Sequence, residues 1–324
     1  MLNLDLSIVI PIDLHRRTRD IYNRIKNYVR IFSGSKIKII FGCNSEPHYW
    51  VNKVKNLIAP HANFELCLVN ADASSLAKLR NTALDAVKTK FVLFLDIDIW
   101  PDLDIIHKTY EQVINHPSQL GMFPCLYLSK NGSKKIGKWS TSEFTNSYYD
   151  FRRDLIQHLA FPSSIVLTDM ASVKYIMGFD EVYVGHGYED FDFMLRLFEH
   201  KGLIRFTEDI LVDTPYLAPL MSRGLRALLA QPFLEMLLVN QYFLHEYHVR
   251  DKQEHYHQRR QSNQQVFLNK FRELINTPAH IQPLTLINAF FNFNEVQQNS
   301  PKYSVLWAEI QGYKFRAKGL RKFF

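Results

Sequence analysis

The sequence has few cysteines, few glycines and no long apolar run. Its three cysteines, Cys43, Cys67 and Cys125, are scattered. Their odd number and spacing argue against a disulfide framework or a zinc ribbon and favour a reducing compartment. The 12 glycines and the lack of a repeat period argue against solenoids and propellers. The most apolar stretch, residues 227–244, is interrupted by polar residues and a proline, so it does not predict an ordinary membrane span.

The first and last residues of the sequence carry the signals that predict where in the cell the protein is found. The N-terminal residues lack a basic region and lead directly into an apolar run, so no signal peptide is predicted. The net charge of +7 is concentrated late in the chain, where IQGYKFRAKGLRKFF alternates basic and aromatic residues. Such a segment suits an anionic membrane surface, and a solvated charged terminus is the alternative. No nucleic-acid-binding module is visible. We expect a cytoplasmic protein, either soluble or peripheral on the inner face of the cell membrane.

Short apolar runs alternate with amphipathic stretches over the first hundred residues. The predicted strands cover residues 6–12, 36–43, 64–69 and 91–98, and the predicted helices cover residues 16–32 and 74–88. This alternation predicts βαβ crossovers and a mostly parallel sheet with helices on both faces. Ligands bind beyond the carboxyl ends of such strands, so residues 11–13, 44–46 and 96–98 are expected at one edge.

The remainder of the chain is more mixed. A helix is predicted from Pro101 to residue 115, and the polar residues 129–150 predict a long surface loop. Beyond residue 250 the composition becomes polar and helical. The predicted organisation is a domain over 1–250, with a nucleotide-binding half over 1–100 and an acceptor half over 101–250, followed by a helical extension over 251–324 that ends in the basic aromatic segment.

Two carboxylates, Asp96 and Asp98, follow an apolar strand. Residues at i and i+2 leave a strand on the same side, so a loop just past the strand end directs both toward one divalent cation. Mg²⁺ and Mn²⁺ prefer oxygen ligands and keep positions open for diphosphate oxygens. The pair therefore predicts a metal site, with capping of the helix from Pro101 as the alternative.

The segment GHGYEDFD, residues 185–192, combines two glycines with three acids. The glycines permit close approach of a ligand, and a helix N-terminus favours negative charge. Ordinary N-capping is the alternative interpretation. Because three acids beside the glycines exceed what a cap needs, the segment predicts a functional site.

Two histidines, His245 and His248, follow at i and i+3. This spacing places both imidazoles on one helical or turn face, where they would complete a metal site. A purely structural histidine pair is the alternative.

Taken in order, SIVIPI, SLAKLRNTALDAVKTKFVLFLDIDI, YIMGFDE and GHGYEDFDFMLRL resemble the glycosyltransferase family two-like sugar transferases of bacterial capsule biosynthesis. The layout is also similar to animal β-galactosyltransferases and chondroitin polymerases, and it spans residues 6–250. The resemblance implies an α/β GT-A fold, Rossmann-like with a mostly parallel sheet flanked by helices. It also implies transfer from a nucleotide-sugar, a UDP-sugar, to a growing capsular or surface glycan, in contact with capsule-assembly proteins.

The resemblance further implies roles for individual residues. The donor-binding residues would be Pro11, Asp13, Lys78, Arg80, Asn81 and Asp96. The Mn²⁺ or Mg²⁺ ligands would be Asp98, His245 and His248, with Asp96 close to the metal or the ribose. The catalytic pair would be Asp190, as the base, and Glu189, and the acceptor-binding residues would be Gly187, Tyr188 and Asp192. Tyr188 would stack on a sugar ring. The usual glycine after the Arg-Asn pair is Ala83 here, a departure from the family pattern.

The implied reaction is a single displacement with inversion, in which the metal stabilises the diphosphate and Asp190 takes the acceptor proton. The helix N-terminus is expected to keep Asp190 ionised near neutral pH. A phosphatase of the haloacid dehalogenase type also uses an apolar strand followed by DxD, but Trp100 stands where that class usually has Thr or Val. A glycan-binding scaffold without turnover is the other alternative.

Overall fold

A computed structural model describes residues 4–15, 17–70, 75–239, 241–249, 254–275 and 286–308, with the backbone alone for 254–258. Its strands are β1 Leu6–Ile12, β2 Lys38–Asn44, β3 Phe64–Val69, β4 Phe91–Phe94, β5 Leu120–Met122, β6 Cys125–Leu128, β7 Ile156–Ala160, β8 Val166–Asp169, β9 Asp213–Thr214, β10 Arg223–Gly224 and β11 Phe243–His245. Its α-helices are α1 Thr18–Phe32, α2 His48–Ile58, α3 Leu76–Leu84, α4 Leu103–Asn115, α5 Lys130–Ser133, α6 Thr141–Tyr149, α7 Met170–Tyr175, α8 Glu189–His200, α9 Leu225–Ala230, α10 Glu254–Leu274, α11 Leu286–Phe291, α12 Asn294–Gln298 and α13 Ser300–Tyr303. Short 3₁₀ helices cover Glu208–Leu211, Pro219–Met221, Gln231–Leu237 and Ser304–Leu306.

A six-stranded sheet in the order β3-β2-β1-β4-β8-β5 forms the centre of the fold. Its first four strands are parallel, whereas β8 runs antiparallel to both β4 and β5. All seven residues of β1 are buried, because helices cover both faces of the parallel part. The predicted α/β class, with a mostly parallel sheet flanked by helices, is confirmed.

A second sheet carries part of the site. It has three strands in the order β11-β6-β7, with β11 parallel and β7 antiparallel to β6. Backbone hydrogen bonds join this sheet to the turn after β4: Trp100 N donates to the Leu244 carbonyl and Glu246 N donates to the Asp98 carbonyl, both at 2.8 Å. The two sheets therefore meet at the residues that follow β4.

Helix α3 lies close against the central sheet. A Cβ atom at Gly42 in β2 would lie 1.8 Å from the Leu79 carbonyl oxygen, so only glycine permits this approach. The helix begins after Ser75, whose hydroxyl accepts a hydrogen bond from Lys78 N. This packing fixes the position of Arg80 at the edge of the sheet.

Two predictions of local structure need correction. The strand predicted over 91–98 ends at Phe94, so Asp96 and Asp98 lie in the turn beyond it, and the helix expected from Pro101 begins at Leu103 after the cap Asp102. The long surface loop predicted over 129–150 is wrong, because α5 and α6 lie within it. Composition is polar there, but a capping box between Ser140 and Glu143 starts α6, which buries several of its side chains, among them Phe144, Tyr148 and Tyr149.

Helix α10 belongs to the extension predicted over 251–324, yet it contacts the preceding domain directly. Lys270 lies 2.6 Å from both Asp180 and Asp192, and Phe271 packs on Phe206. The basic aromatic segment after residue 309 lies outside the described residues. Among the described residues, no helix is long and apolar enough to cross a membrane.

Candidate active site

The carboxyl edge of the central sheet collects polar residues from neighbouring strands. Pro11 lies within β1, and the half-buried Asp13 follows that strand and accepts a hydrogen bond from His15 N. Asn44 ends β2; both of its side-chain polar atoms are buried and have no hydrogen-bond partner among the described residues. Lys78 is half-buried in the first turn of α3. Because unpaired buried amides are costly, Asn44 is a further candidate donor-binding residue at this edge.

A possible metal site lies beside this edge. Asp98, His245 and His248 each offer a ligand atom, and these atoms all lie within 4.8 Å of one another. The Nε2 atom of His248 is 3.5 Å from Oδ2 of Asp98. His245 ends strand β11 and His248 lies in the segment after it, so the two do not share a helix. The hydrogen bond from Glu246 N to the Asp98 carbonyl holds the two segments together.

The protonation of this cluster suits a divalent cation. Burial lowers the pKa of His245 to about 4 and also lowers that of His248, so both imidazoles are neutral at pH 7. The Nδ1 atom of His248 lies 3.2 Å from the Val249 carbonyl, which leaves Nε2 directed at Asp98. Burial alone would raise the pKa of Asp98, but hydrogen bonds from Arg17 and the charges of Arg17 and Arg24 lower it. One carboxylate and two imidazoles fit Mn²⁺ better than Mg²⁺, which prefers oxygen.

Two arginines of α1 and the turn before it contact the same carboxylate. Nη2 of Arg17 donates to both oxygens of Asp98, at 3.0 and 2.8 Å. Nε of the buried Arg24 lies 3.2 Å from Asp98, and its Nη1 lies 3.2 Å from Glu246. The side chain of Arg17 is 24% exposed and that of Arg24 is 5% exposed, so Arg17 is the more accessible of the two. A cation bound by Asp98 would take the place of Arg17.

Arg80 connects the first aspartate of the DxD pair to the acidic pair of α8. Its Nη2 donates to Asp96 at 2.9 Å and its Nη1 donates to Glu189 at 3.2 Å. The guanidinium also lies 5.0 Å from the centre of the Phe179 ring. Asp96 accepts a further hydrogen bond from Ser164. Asp96 is therefore bound by Arg80 and lies outside the Asp98 cluster, and Arg80 faces two carboxylates.

The two acids at the start of α8 have different surroundings. Glu189 is 1% exposed; its Oε1 faces Arg80 and His186, and its Oε2 accepts a hydrogen bond of 2.6 Å from Gly187 N. Although burial opposes ionisation, the hydrogen bond and charge of His186 and the charge of Arg80 lower the pKa of Glu189. Glu189 is thus an ionised carboxylate that holds its neighbours in place.

Asp190 is half-buried and accepts a hydrogen bond of 2.9 Å from Phe191 N. Burial, and then the negative charge of Glu189, raise the pKa of Asp190. Burial and the neighbouring acid thus outweigh the lowering of this pKa that the helix dipole supplies, and ionisation of Asp190 near neutral pH stays a prediction. A carboxylate with a raised pKa is a stronger base than an ordinary one.

Three residues predicted to bind donor or acceptor make hydrogen bonds or ring contacts within the protein. Asn81 donates to the Phe179 carbonyl and to Glu181, and accepts from Phe179 N, so it holds this loop rather than facing the donor. The ring of Tyr188 is 3% exposed, lies against Phe267 and has the Arg260 guanidinium over it, so stacking on a sugar is blocked in this conformation.

The third is Asp192, which is fully buried. It accepts hydrogen bonds from Arg196 and Tyr183 and lies 2.6 Å from Lys270 on α10. These contacts leave it no face toward an acceptor. Asp192 therefore connects α8 to α10, and we do not retain it among the proposed acceptor-binding residues.

Residues 183–187, which precede α8 and are called the glycine loop below, are hydrogen-bonded to other segments on both sides. Ser75 donates to the Tyr183 carbonyl, and Leu76 N donates to that of Gly185. On the other side, the buried Asn263 of α10 accepts from Val184 N at 3.2 Å and donates to the carbonyls of Val184 and Gly187 at 3.1 and 2.9 Å. Gly187 has a φ of 108°, a conformation that favours glycine.

Sequence reasoning did not find Arg17, Arg24, Ser164 or Asn263 as contributors. The basic stretch HRRTRD after β1 is a usable signal for Arg17, because positive charge beyond a strand end suits a diphosphate, whereas Arg24 lies outside that stretch within α1. Asn263 carried no signal, since nothing in a polar helical segment marks the one asparagine that is buried.

The chain matches the glycosyltransferase like family 2 over residues 7–273. The chain belongs to this family. The match ends within α10, so the family region includes the helix that binds the glycine loop. The predictions of a glycosyltransferase and of a GT-A type of fold are thereby confirmed, while the roles assigned to single residues stay predictions.

The chain is also similar to several solved structures. The mannosyltransferase PcManGT of Pyrobaculum calidifontis, in complex with GDP-Man and Mn²⁺, is 12% identical with a TM-score of 0.44, over 98% of this chain and 79% of that one. S. aureus TarS 1-349 in complex with UDP-GlcNAc is 13% identical with a TM-score of 0.39, over 95% and 77%. A further S. aureus TarS structure is 16% identical with a TM-score of 0.35, and the match covers 61% of this chain and 34% of that one. A search of curated proteins found no match.

Proposed function

We propose that this family member transfers a sugar from a UDP-sugar to a hydroxyl of a growing capsular or surface glycan, with inversion and with Mn²⁺. The observation that carries the proposal is that a cluster suited to a metal and an acidic pair lie on either side of Asp96 and Arg80, at the carboxyl edge of the sheet. Family membership supports the transfer reaction. The UDP donor, the inversion, the metal and the capsule are what the proposal adds.

Asp98, His245 and His248 would hold the metal. A bound Mn²⁺ supplies Lewis-acid stabilisation of the charge that develops on the departing diphosphate. Arg17 lies beside the same carboxylate, and its planar guanidinium matches phosphate oxygens. We expect Arg17 to leave Asp98 and contact the diphosphate when a donor is bound.

Asp190 would take the proton from the acceptor hydroxyl. Its raised pKa brings its basicity closer to what proton abstraction near neutral pH requires. Attack from the face opposite the diphosphate inverts the anomeric carbon. Glu189 would stay ionised and would hold Arg80 and the Gly187 backbone in place.

Replacing Asp190 tests this assignment. Asparagine has nearly the same shape but cannot accept the proton, so Asp190→Asn should keep donor affinity and lower turnover by at least about 10²-fold. Asp104→Asn is a matched control, because Asp104 is an exposed acid in the first turn of α4. Donor binding by calorimetry, melting temperature and turnover would be measured on the same preparations, with product configuration by NMR.

The outcomes separate the possible roles. If Asp190 only caps α8, Asp190→Asn should keep normal turnover, as the control does, and lose about 1 kcal/mol of stability. A scaffold protein would bind the donor but release no nucleotide when acceptor is added. Product that retains the donor configuration would contradict the single displacement.

The proposed location is the cytoplasm, with the basic segment after residue 309 in contact with an anionic membrane. Five Lys or Arg residues, at about 1 kcal/mol each near such a surface, are enough for weak attachment. Deletion of residues 314–324 should move the protein from the liposome pellet to the supernatant. Equal pelleting with and without this segment would contradict the proposed contact.

A further inference from the structure

Three rings, one from each strand, stack face to face across the second sheet. His245 in β11 is the register partner of Tyr127 in β6, and Tyr127 is the register partner of His158 in β7. Directly opposed residues project to the same face of a sheet, which brings their rings together. The ring centroids of Tyr127 and His245 are 4.0 Å apart at an angle of 15°, and those of Tyr127 and His158 are 4.4 Å apart at 19°. We call these three residues the ring ladder.

The ring ladder ends at the proposed metal site. His245 is one of its three candidate ligands, and its ring centroid lies 5.4 Å from that of His248. The faces of Tyr127 are covered on both sides by imidazoles, so its ring is not a platform for a sugar. Burial, and then the charges of nearby acids that include Asp96 and Asp190, raise the pKa of Tyr127 far above its ordinary value. Its hydroxyl therefore stays protonated.

The two candidate histidine ligands are held differently. A histidine that binds a metal usually donates its other ring N–H to a carbonyl or carboxylate, which fixes the ring plane. His248 has such a contact with the Val249 carbonyl at 3.2 Å. Within the described part of the chain, the ring of His245 has no hydrogen-bond partner. Its only close ring neighbours there are Tyr127 and His248.

We propose that Tyr127, supported by His158, is a positioning residue that fixes the ring plane of His245 for metal binding by parallel stacking. The χ2 angle of histidine is intrinsically broad, so a hydrogen bond or a stacked neighbour is needed to select one orientation. With β11 hydrogen-bonded to β6, rotation of the His245 ring would collide with the Tyr127 face at 4.0 Å. The inference rests on the proposed function, because it takes the Asp98 cluster to be a metal site.

Four variants of the full chain test this role. Tyr127→Phe keeps the stacked ring and Tyr127→Leu removes it. Phe243→Leu is the matched control, because Phe243 is a buried ring two residues before His245 on the same strand and packs on Phe123. Asp98→Asn removes a proposed ligand. Mn²⁺ affinity is measured without donor or acceptor, from the EPR signal of free Mn²⁺, and the imidazole coupling of bound Mn²⁺ is read by electron spin echo modulation.

We expect Tyr127→Leu to weaken Mn²⁺ binding by about tenfold or more, the usual effect of removing a residue that orients a metal ligand. The imidazole modulation should weaken with it. Tyr127→Phe should keep the wild-type Mn²⁺ affinity and imidazole modulation. Phe243→Leu should lower the melting temperature without changing the Mn²⁺ affinity or the modulation. Wild-type Mn²⁺ affinity and modulation in Tyr127→Leu would overturn the inference, as would equal losses in Tyr127→Leu and Phe243→Leu.

Failure of the metal site itself would look different. If the wild-type protein binds no Mn²⁺, or if Asp98→Asn binds it equally well, the proposed metal site is wrong and the inference is wrong with it. If Asp98→Asn loses Mn²⁺ but Tyr127→Leu does not, the metal site stands and only the positioning role is wrong. Should Tyr127→Leu not fold, His158→Ala replaces it: a smaller loss of Mn²⁺ affinity is expected, and unchanged affinity would overturn the role of the ring ladder.

Discussion

Asn263 of helix α10 offers the sharpest test of how the glycine loop is held. Its side chain is 3% exposed and makes three hydrogen bonds with the backbone of Val184 and Gly187. At about 0.5–1.5 kcal/mol each, their loss in Asn263→Ala should lower the free energy of unfolding by about 1.5–4.5 kcal/mol. Alanine also raises helix propensity by up to about 0.7 kcal/mol, which opposes this loss.

Asn269 supplies a matched control on the same helix. It is exposed, and its side chain accepts one hydrogen bond from Arg272. Asn269→Ala carries the same gain in helix propensity but removes no buried hydrogen bond. The difference between the two variants in urea unfolding therefore isolates the contribution of the Asn263 hydrogen bonds, and about 1.5–4.5 kcal/mol is expected for it.

The same substitution should affect catalysis through Asp190. The glycine loop leads directly into α8, so a loop released from α10 no longer fixes the acid at the helix start. A displacement of about 1 Å is enough to slow turnover by up to about 10²-fold, so we expect kcat to fall by at least about tenfold while the KM for the donor changes little. Equal unfolding free energies for Asn263→Ala and Asn269→Ala, with normal kcat in both, would refute this reasoning.

Further predictions concern the two ends of the site, the metal cluster and the acidic pair. Removal of divalent metal by a chelator, or Asp98→Ala, should abolish transfer, and full activity in excess chelator would exclude a metal from the reaction. Arg17→Ala should tighten Mn²⁺ binding, because Asp98 loses a competing cation. The same variant should weaken donor binding in the presence of Mn²⁺ by about tenfold or more, the value of one charge-assisted hydrogen bond. Unchanged affinities for Mn²⁺ and donor would contradict the proposed place of Arg17 beside the diphosphate. Because a base must be ionised and the pKa of Asp190 is raised, activity should fall on the acid side at a higher pH than an ordinary carboxyl group gives. His186→Gln removes a positive charge that lowers this pKa, so the acid limb of the pH profile should move to still higher pH, and a shift to lower pH would contradict the assignment.

The parts of the fold that the sequence predicted are those with local causes. The alternation of apolar runs and amphipathic stretches indicated the parallel strands, and the strand-end position of Asp96 and Asp98 indicated the edge at which they lie. Capping chemistry places α6 within a segment whose polar composition suggested a loop. There the capping box of Ser140 and Glu143 is the local signal, and it outweighs the polar composition of the segment.

The remaining contributors depend on contacts between distant segments. Tyr127 meets His245 only because β11 pairs with β6 in one register, and a shift of one residue would place its ring on the other face. Asn263 reaches the glycine loop only because α10 folds back over it. Neither register nor the docking of a late helix can be read from residue spacing, so these roles became visible only in the structure.

The different surroundings of Glu189 and Asp190 explain how two adjacent acids acquire different chemistry. Glu189 takes up the available positive partners: the Arg80 guanidinium, the His186 ring and the Gly187 N–H. Its pKa is therefore lowered, and its fixed negative charge acts on Asp190, whose pKa burial already raises. Two neighbouring carboxylates whose pKa values are displaced in opposite directions have separate roles. This difference supports Asp190 as the proposed base, with burial and then the charge of Glu189 raising its basicity.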